Sequence, residues 1–108
     1  MKRLKAGKNE GLRALNNKGE IKLKLGQVVI TRGISDYVAE DYPFYEFILE
    51  SLRRYMSCDW GDICEEDKRM NDSAVKNNDD RIVARYNNIY IITECDRSVT
   101  TILFTHEY

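Results

Sequence analysis

The sequence predicts an α+β fold in which one small antiparallel sheet of three to four strands is packed on one side by two helices. Three observations predict this class. Apolar and charged residues alternate along 21–25, apolar residues recur every three or four positions along 44–56, and the segments 81–86, 89–95 and 99–108 resemble a meander of strands. A chain of 108 residues with 43% hydrophobic content is sized for one folded domain.

The first predicted strands lie along IKLKLGQVVIT. Ile21, Leu23 and Leu25 alternate with lysines, which is the period of a strand with one buried face. Gly26 interrupts the pattern, and the β-branched residues after it favour a second strand. We expect that strand to end at Gly33.

Two helices should follow. Asp41 is suited to an N-cap and Pro43 to a first turn, which predicts a helix over 43–57. A second, shorter helix is predicted from about 63 to 76. Asp62 precedes Glu65 by three residues, the spacing of a capping box, and the carboxylates of 65–67 suit the positive end of the helix dipole.

Charge divides the chain into an arm and a body. Residues 1–24 hold eight Lys or Arg against two Glu, a balance of +6, whereas the remaining residues hold nine basic and sixteen acidic side chains, a balance of −7. We therefore expect residues 1–20 to form a flexible basic arm and residues 21–108 to form a single α+β domain. The arm is either a solvated tail or a weak nucleic-acid contact, since lysine and arginine neutralise phosphates; its candidate contacts are Lys2, Arg3, Lys5, Lys8 and Arg13.

Composition also indicates a compartment. No apolar run reaches the roughly 18 residues that span a bilayer, and the basic start lacks the apolar stretch of a signal peptide. The three cysteines are odd in number and without paired spacing, which favours free thiols in a reducing cytosol. We expect a cytoplasmic protein with no membrane contact.

The candidate functional surface joins two segments that carry unusual turn chemistry. At the hairpin tip 96–98, Arg97 is either a phosphate-binding residue or the ion-pair partner of a carboxylate in the 59–67 turn, and we expect the ion pair. Trp60 is either a stacking platform or a lid over the end of the first helix. The surface comprises Asp59, Trp60, Asp62, Glu66, Asp67, Asn71, Glu94, Asp96 and Arg97.

Three segments resemble a known family. They are KLGQVVITRG (24–33), CDWGDICEEDKRMND (58–72) and IYIITECDRSVTTILFTHEY (89–108). Together they are similar to small, uncharacterised bacterial proteins of plasmids and integrative elements, usually labelled plasmid-related. The resemblance covers about residues 24–108 and implies an association with mobile elements, but no activity.

The leading functional hypothesis is a non-enzymatic accessory module that binds a protein or, through the basic arm, a nucleic acid. The alternative is a small metal-dependent hydrolase or nuclease, because oxygen ligands around 59–67 and 94–96 suit Mg²⁺ or Mn²⁺. A third hypothesis is an acidic mimic of nucleic acid. Helix capping and turn formation explain the acids locally, so we expect no metal and no cofactor.

Overall fold

The computed structural model describes residues 2–3, 13–15 and 21–108, with side chains from residue 23 onward. Its strands are β1 (Lys2–Arg3), β2 (Arg13–Leu15), β3 (Ile21–Lys24), β4 (Gln27–Ile30), β5 (Ile82–Tyr86), β6 (Ile89–Thr93) and β7 (Val99–Phe104). Its helices are α1 (Arg32–Glu40), α2 (Tyr42–Met56) and α3 (Glu65–Asn77), and a 3₁₀ turn follows at Thr105–Glu107. Within these ranges, no helix combines the length and the apolar character needed to cross a bilayer.

The strands form a mixed sheet in the order β4-β7-β6-β5, with the two-residue β1 beside β4; β2 and β3 pair separately. The β5-β6 and β6-β7 pairs are antiparallel, as predicted, but β4 and β7 are parallel. The α+β class with a small sheet is therefore confirmed, and the wholly antiparallel pairing is corrected. Parallel neighbours need a long crossover connection, and the chain between β4 and β7 supplies it.

The described part of the chain contains three helices where two were predicted. The strand β4 ends at Ile30 rather than at Gly33, because the Thr31 hydroxyl caps α1 and accepts a hydrogen bond from the Ile34 amide at 3.2 Å. The first amides of a helix have no acceptor within the helix, and a threonine hydroxyl at the N-cap accepts a hydrogen bond from one of them. The predicted Asp41 cap of α2 is confirmed, with its carboxylate accepting from the Phe44 amide at 3.0 Å.

The third helix begins at Glu65, and its N-cap is Cys64, which makes no side-chain capping bond. The predicted Asp62 capping box is therefore wrong. The Asp62 carboxylate instead accepts from the Asn87 amide at 2.7 Å, because residues 59–62 run beside β5 before the helix starts. The three carboxylates at 65–67 do occupy the first turn, as predicted.

One face of the sheet and the buried sides of the helices form a single core. Its sheet members include Val28, Ile91 and Ile102, and its helix members include Ile34 and Ile48. A chain of hydroxyls crosses this core: Tyr55 contacts Thr93 at 2.7 Å, Thr93 contacts Thr100 at 2.7 Å, and Thr100 donates to the Leu25 carbonyl at 2.7 Å. Burial raises the pKa of the Tyr55 phenol, so its proton stays in this network.

The predicted flexible arm falls almost wholly outside the described residues, as do its candidate contacts Lys5 and Lys8. Of the other candidates, Lys2 and Arg3 pair with Ile30 and Val29, and Arg13 pairs with Lys24. The division at residue 20 and the nucleic-acid contact remain predictions.

Candidate functional site

Residues 58–62, which contain several of the predicted site residues, are built onto the end of β5. The Asp62 amide donates to the Arg85 carbonyl at 2.7 Å, and Gly61 forms a parallel bridge with Arg85. Gly61 has a φ of +74°, and a Cβ there would lie 2.1 Å from the Arg85 carbonyl oxygen. Only glycine meets both demands. This segment therefore extends the sheet edge.

Asp59 fixes the turn between α2 and that edge. Its carboxylate accepts from Arg54 Nε at 2.8 Å and Nη2 at 3.2 Å, and from the Gly61 amide at 3.2 Å. The hydrogen bonds from Arg54 hold the pKa of Asp59 below its usual range. The Tyr86 hydroxyl donates to the Asp59 carbonyl at 2.6 Å. Both the carboxylate and the carbonyl of Asp59 therefore accept hydrogen bonds from neighbouring parts of the fold.

Trp60 belongs to the core. It is 2% exposed, its ring meets Tyr55 edge-on at 5.4 Å between centroids, and its indole nitrogen donates to Asp72 Oδ1 at 2.8 Å. This position agrees with a lid over the end of α2 and corrects its inclusion in an exposed surface. Asp72, which sequence reasoning did not single out as a site residue, serves as its hydrogen-bond acceptor.

Asn71 and Asp62 seal the free edge of β5. The Asn71 amide donates to the Val83 carbonyl at 2.9 Å and accepts from the Val83 amide at 3.3 Å, which reproduces the bonds of a neighbouring strand. Further along the edge, the Asp62 amide donates to the Arg85 carbonyl and the Asp62 carboxylate accepts from the Asn87 amide. An edge whose groups are satisfied in this way offers no template to another chain. Asn71 is 6% exposed, and its side chain makes both of these hydrogen bonds to the Val83 backbone.

Arg97 does not contact any carboxylate of the 59–67 turn, and that prediction is wrong. It is 9% exposed and donates to carbonyls at the C-terminal end of α3 and just beyond, including Ala74 at 2.9 Å and Asp79 at 3.0 Å. The same guanidinium also reaches the carbonyls of Asp80, Glu94 and Cys95. Carbonyls at a helix C-terminus lack intrahelical partners and carry partial negative charge, which explains why a cation is held there.

The two predicted acidic segments therefore lie at opposite ends of α3. A helix of 13 residues is about 18 Å long between its end residues, so the hairpin tip does not reach the 59–67 turn. Glu66, Asp67, Glu94 and Asp96 are exposed. Asp96 accepts from the Ser98 hydroxyl and amide, which lowers its pKa. In the part of the chain that the structure describes, no three His, Cys, Asp or Glu side chains are grouped to hold a metal ion.

An open cleft of about 510 Å³ separates α3 from the strand β5. Its wall includes Asp62, Asp67, Met70, Arg81, Arg85 and Tyr90. Arg85 donates to the Asp62 carbonyl at 3.0 Å, and Arg81 donates to the Tyr108 hydroxyl. Because aspartates and arginines line the cleft together, it does not select one sign of charge.

A different surface has a more uniform chemistry. The α1–α2 surface is formed around the junction of these helices by residues 37–46, and sequence reasoning missed it because α1 itself was missed. Tyr37 is 51% exposed and Tyr42 is 67% exposed, while Val38 and Tyr45 are half-buried beside them. The signal available in the sequence was the run DYVAEDYPFYE, in which tyrosines and carboxylates alternate irregularly.

Stacked aromatic rings connect this surface to the core. Phe104 of β7 stacks on Phe44 at 5.6 Å, and Phe44 meets Tyr37 at 4.6 Å between ring centroids. Tyr42 and Tyr45 form a second pair at 6.1 Å. Tyr37 is therefore placed by packing against Phe44 and against Phe104 of the sheet, whereas Tyr42 packs on Tyr45 of its own helix.

The chain is thus a small α+β domain in which most of the predicted site residues hydrogen-bond within the fold, and its exposed aromatic surface lies elsewhere. No protein-family model matches the chain, and no curated protein or solved structure is significantly similar to it. Its resemblance to plasmid-related proteins remains a prediction.

Proposed function

We propose that the protein is a non-enzymatic binding module that docks a protein partner on the α1–α2 surface. The observation that carries this proposal is the exposure of Tyr37 and Tyr42, two of the four large hydrophobic side chains that the described residues expose. Tyrosine is enriched at protein interfaces because it buries a large ring at low cost in side-chain entropy. Tyr37, which packs on Phe44 and Phe104, is already ordered before a partner arrives.

The partner's setting rests on the resemblance alone. We propose on that ground an accessory protein of a bacterial mobile element, and from the composition of the chain we propose that it acts in the cytoplasm. A nucleic-acid contact through the basic arm is the competing form of the same hypothesis.

The proposal is tested by placing a photo-crosslinking amino acid, p-benzoylphenylalanine, at position 42 in the full chain, in the cells that make it. We expect a discrete adduct that protease removes and nuclease does not, and that Tyr37→Ala in the same chain weakens. The matched control carries the probe at Arg69, an exposed site on α3. Equal adducts at 42 and 69, no adduct at 42, or an adduct that nuclease removes would overturn the proposal.

The metal-dependent hydrolase stays as the alternative hypothesis, but no described contact favours it. Its ligand set required residues 59–67 and 94–96 to converge, and α3 holds these segments apart.

A further inference from the structure

We infer that the segment docking on the α1–α2 surface is rich in lysine or arginine. This inference rests on the proposed function and names the chemistry of the partner. Its first basis is the distribution of charge. Residues 33–52 hold five carboxylates and no Lys or Arg.

Most of these carboxylates are not neutralised. Asp36 lies 3.8 Å from Arg32, and Glu50 pairs with Arg53, but Glu40, Asp41 and Glu46 have no ion-pair partner among the described residues. Asp41 uses one oxygen to cap α2, and Glu40 and Glu46 are exposed. The surface therefore presents unpaired negative charge around its tyrosines.

The shape of the surface matches long cationic side chains. Two shallow depressions share Glu40: one of about 300 Å³ is lined by Tyr37 and Asp41, and one of about 410 Å³ is lined by Tyr42 and Tyr45 together with Val38 and Ala39. Each therefore combines an aromatic wall with a carboxylate rim. The methylene stem of a lysine or arginine packs on such a ring, while its charged end reaches the carboxylate or the ring face.

Other occupants fit this surface less well. Phosphate groups of a nucleic acid or of an anionic membrane would meet five carboxylates and no basic side chain between residues 33 and 52. A purely apolar segment would fill the depressions but leave the charged rim without partners. A cationic segment satisfies both the rings and the rim.

The test is an NMR titration of the full ¹⁵N-labelled chain with synthetic decapeptides of alternating Lys-Ser, Arg-Ser and Glu-Ser. We expect the two basic peptides to shift amide signals within residues 36–47 and the acidic peptide to leave them unchanged. Raising the salt from about 50 mM to about 300 mM should weaken binding, because screening shortens the reach of exposed charges.

Matched charge variants separate this surface from the general acidity of the body. The double variant Glu40→Gln, Glu46→Gln should weaken binding of the Lys-Ser peptide about fivefold, within the roughly two- to thirtyfold loss expected for two exposed ion pairs. The control Glu66→Gln, Glu94→Gln removes two exposed carboxylates elsewhere, changes the net charge equally and should weaken binding less than about twofold. Tyr42→Ala should also weaken binding.

Equal loss in the two double variants, or binding of the Glu-Ser peptide at this surface, would overturn the inference. The two proposals fail separately. If the photo-adduct forms at position 42 but the basic peptides do not bind, docking stands and the cationic chemistry is wrong. If the peptides bind as expected but no adduct forms in cells, the surface chemistry stands and the docking function is wrong.

Discussion

The seal on the β5 edge makes Asn71→Ala a sharp test of the fold. The substitution removes both hydrogen bonds to Val83 and leaves one backbone donor and one acceptor without protein partners. An unsatisfied buried group costs about 1–3 kcal/mol, and since Val83 is only half-buried we take the lower part of that range, or about 2–3 kcal/mol for the pair. Alanine recovers roughly 0.5 kcal/mol through its higher helix propensity. The expected net loss in the free energy of unfolding is about 2 kcal/mol.

The assay is urea denaturation followed by circular dichroism, with Asn77→Ala as the control. Asn77 lies in the same helix, but its side chain makes only an exposed bond to Ser73 Oγ at 3.2 Å. A loss of about 2 kcal/mol lowers the urea midpoint by roughly 1–2 M, whereas the control should move it little. Hydrogen exchange of the Val83 amide should accelerate in the first variant alone. Equal midpoints in the two variants, or an unchanged Val83 exchange rate, would refute the argument that Asn71 replaces a missing strand.

Three further outcomes follow from the same contacts. Arg97→Ala should lower the free energy of unfolding by about 2–4 kcal/mol, because buried carbonyls lose their hydrogen-bond donors. Arg97→Lys should recover only part of that lost stability, and thermal and urea unfolding of both variants would check this. Arg54 lowers the folded-state pKa of Asp59, so the stability from this pair is present above the unfolded pKa of about 3.9 and is lost as pH falls through the folded pKa. The free energy of unfolding, measured from pH 5 downward, should therefore fall less steeply in Asp59→Asn than in the parent. Parallel curves for the two proteins would contradict this. Millimolar Mg²⁺ or Mn²⁺ should leave the melting temperature unchanged, since a ligand of the native state must raise it, and a rise of several degrees would favour the hydrolase alternative.

Local patterns in the sequence were sufficient for most elements. The alternation around Leu23, the Asp41 cap and the strand signals after residue 81 all predicted what the structure contains. These features depend on neighbours within four residues, so a single sequence displays them. The helix α1 was missed because the β-branched run before it continued to Thr31, whose hydroxyl acts as a cap.

The candidate site could not be predicted in the same way. Arg97 meets α3 at its C-terminal end instead of the acidic turn before its N-terminal end, and this choice depends on how the helix lies against the sheet. Trp60 and Asp72 can both be read in the sequence, but the sequence does not show that they are hydrogen-bond partners. Unusual turn chemistry predicts a functional surface, whereas in the structure Asn71 and Arg97 make hydrogen bonds that join α3 to the sheet and its hairpin.

The parallel pairing of β4 with β7 has a consequence for the order in which the chain folds. Residues 27–30 are synthesised before their sheet neighbour β7, and each residue's partner in that strand lies 72 positions further along the chain. During translation, α1 and α2 leave the ribosome before the surface on which they pack exists. Sheet closure must therefore wait for the last strand, and contacts so distant in sequence favour slow folding. Until then, Val28 and Ile30 lack their partners Thr100 and Ile102.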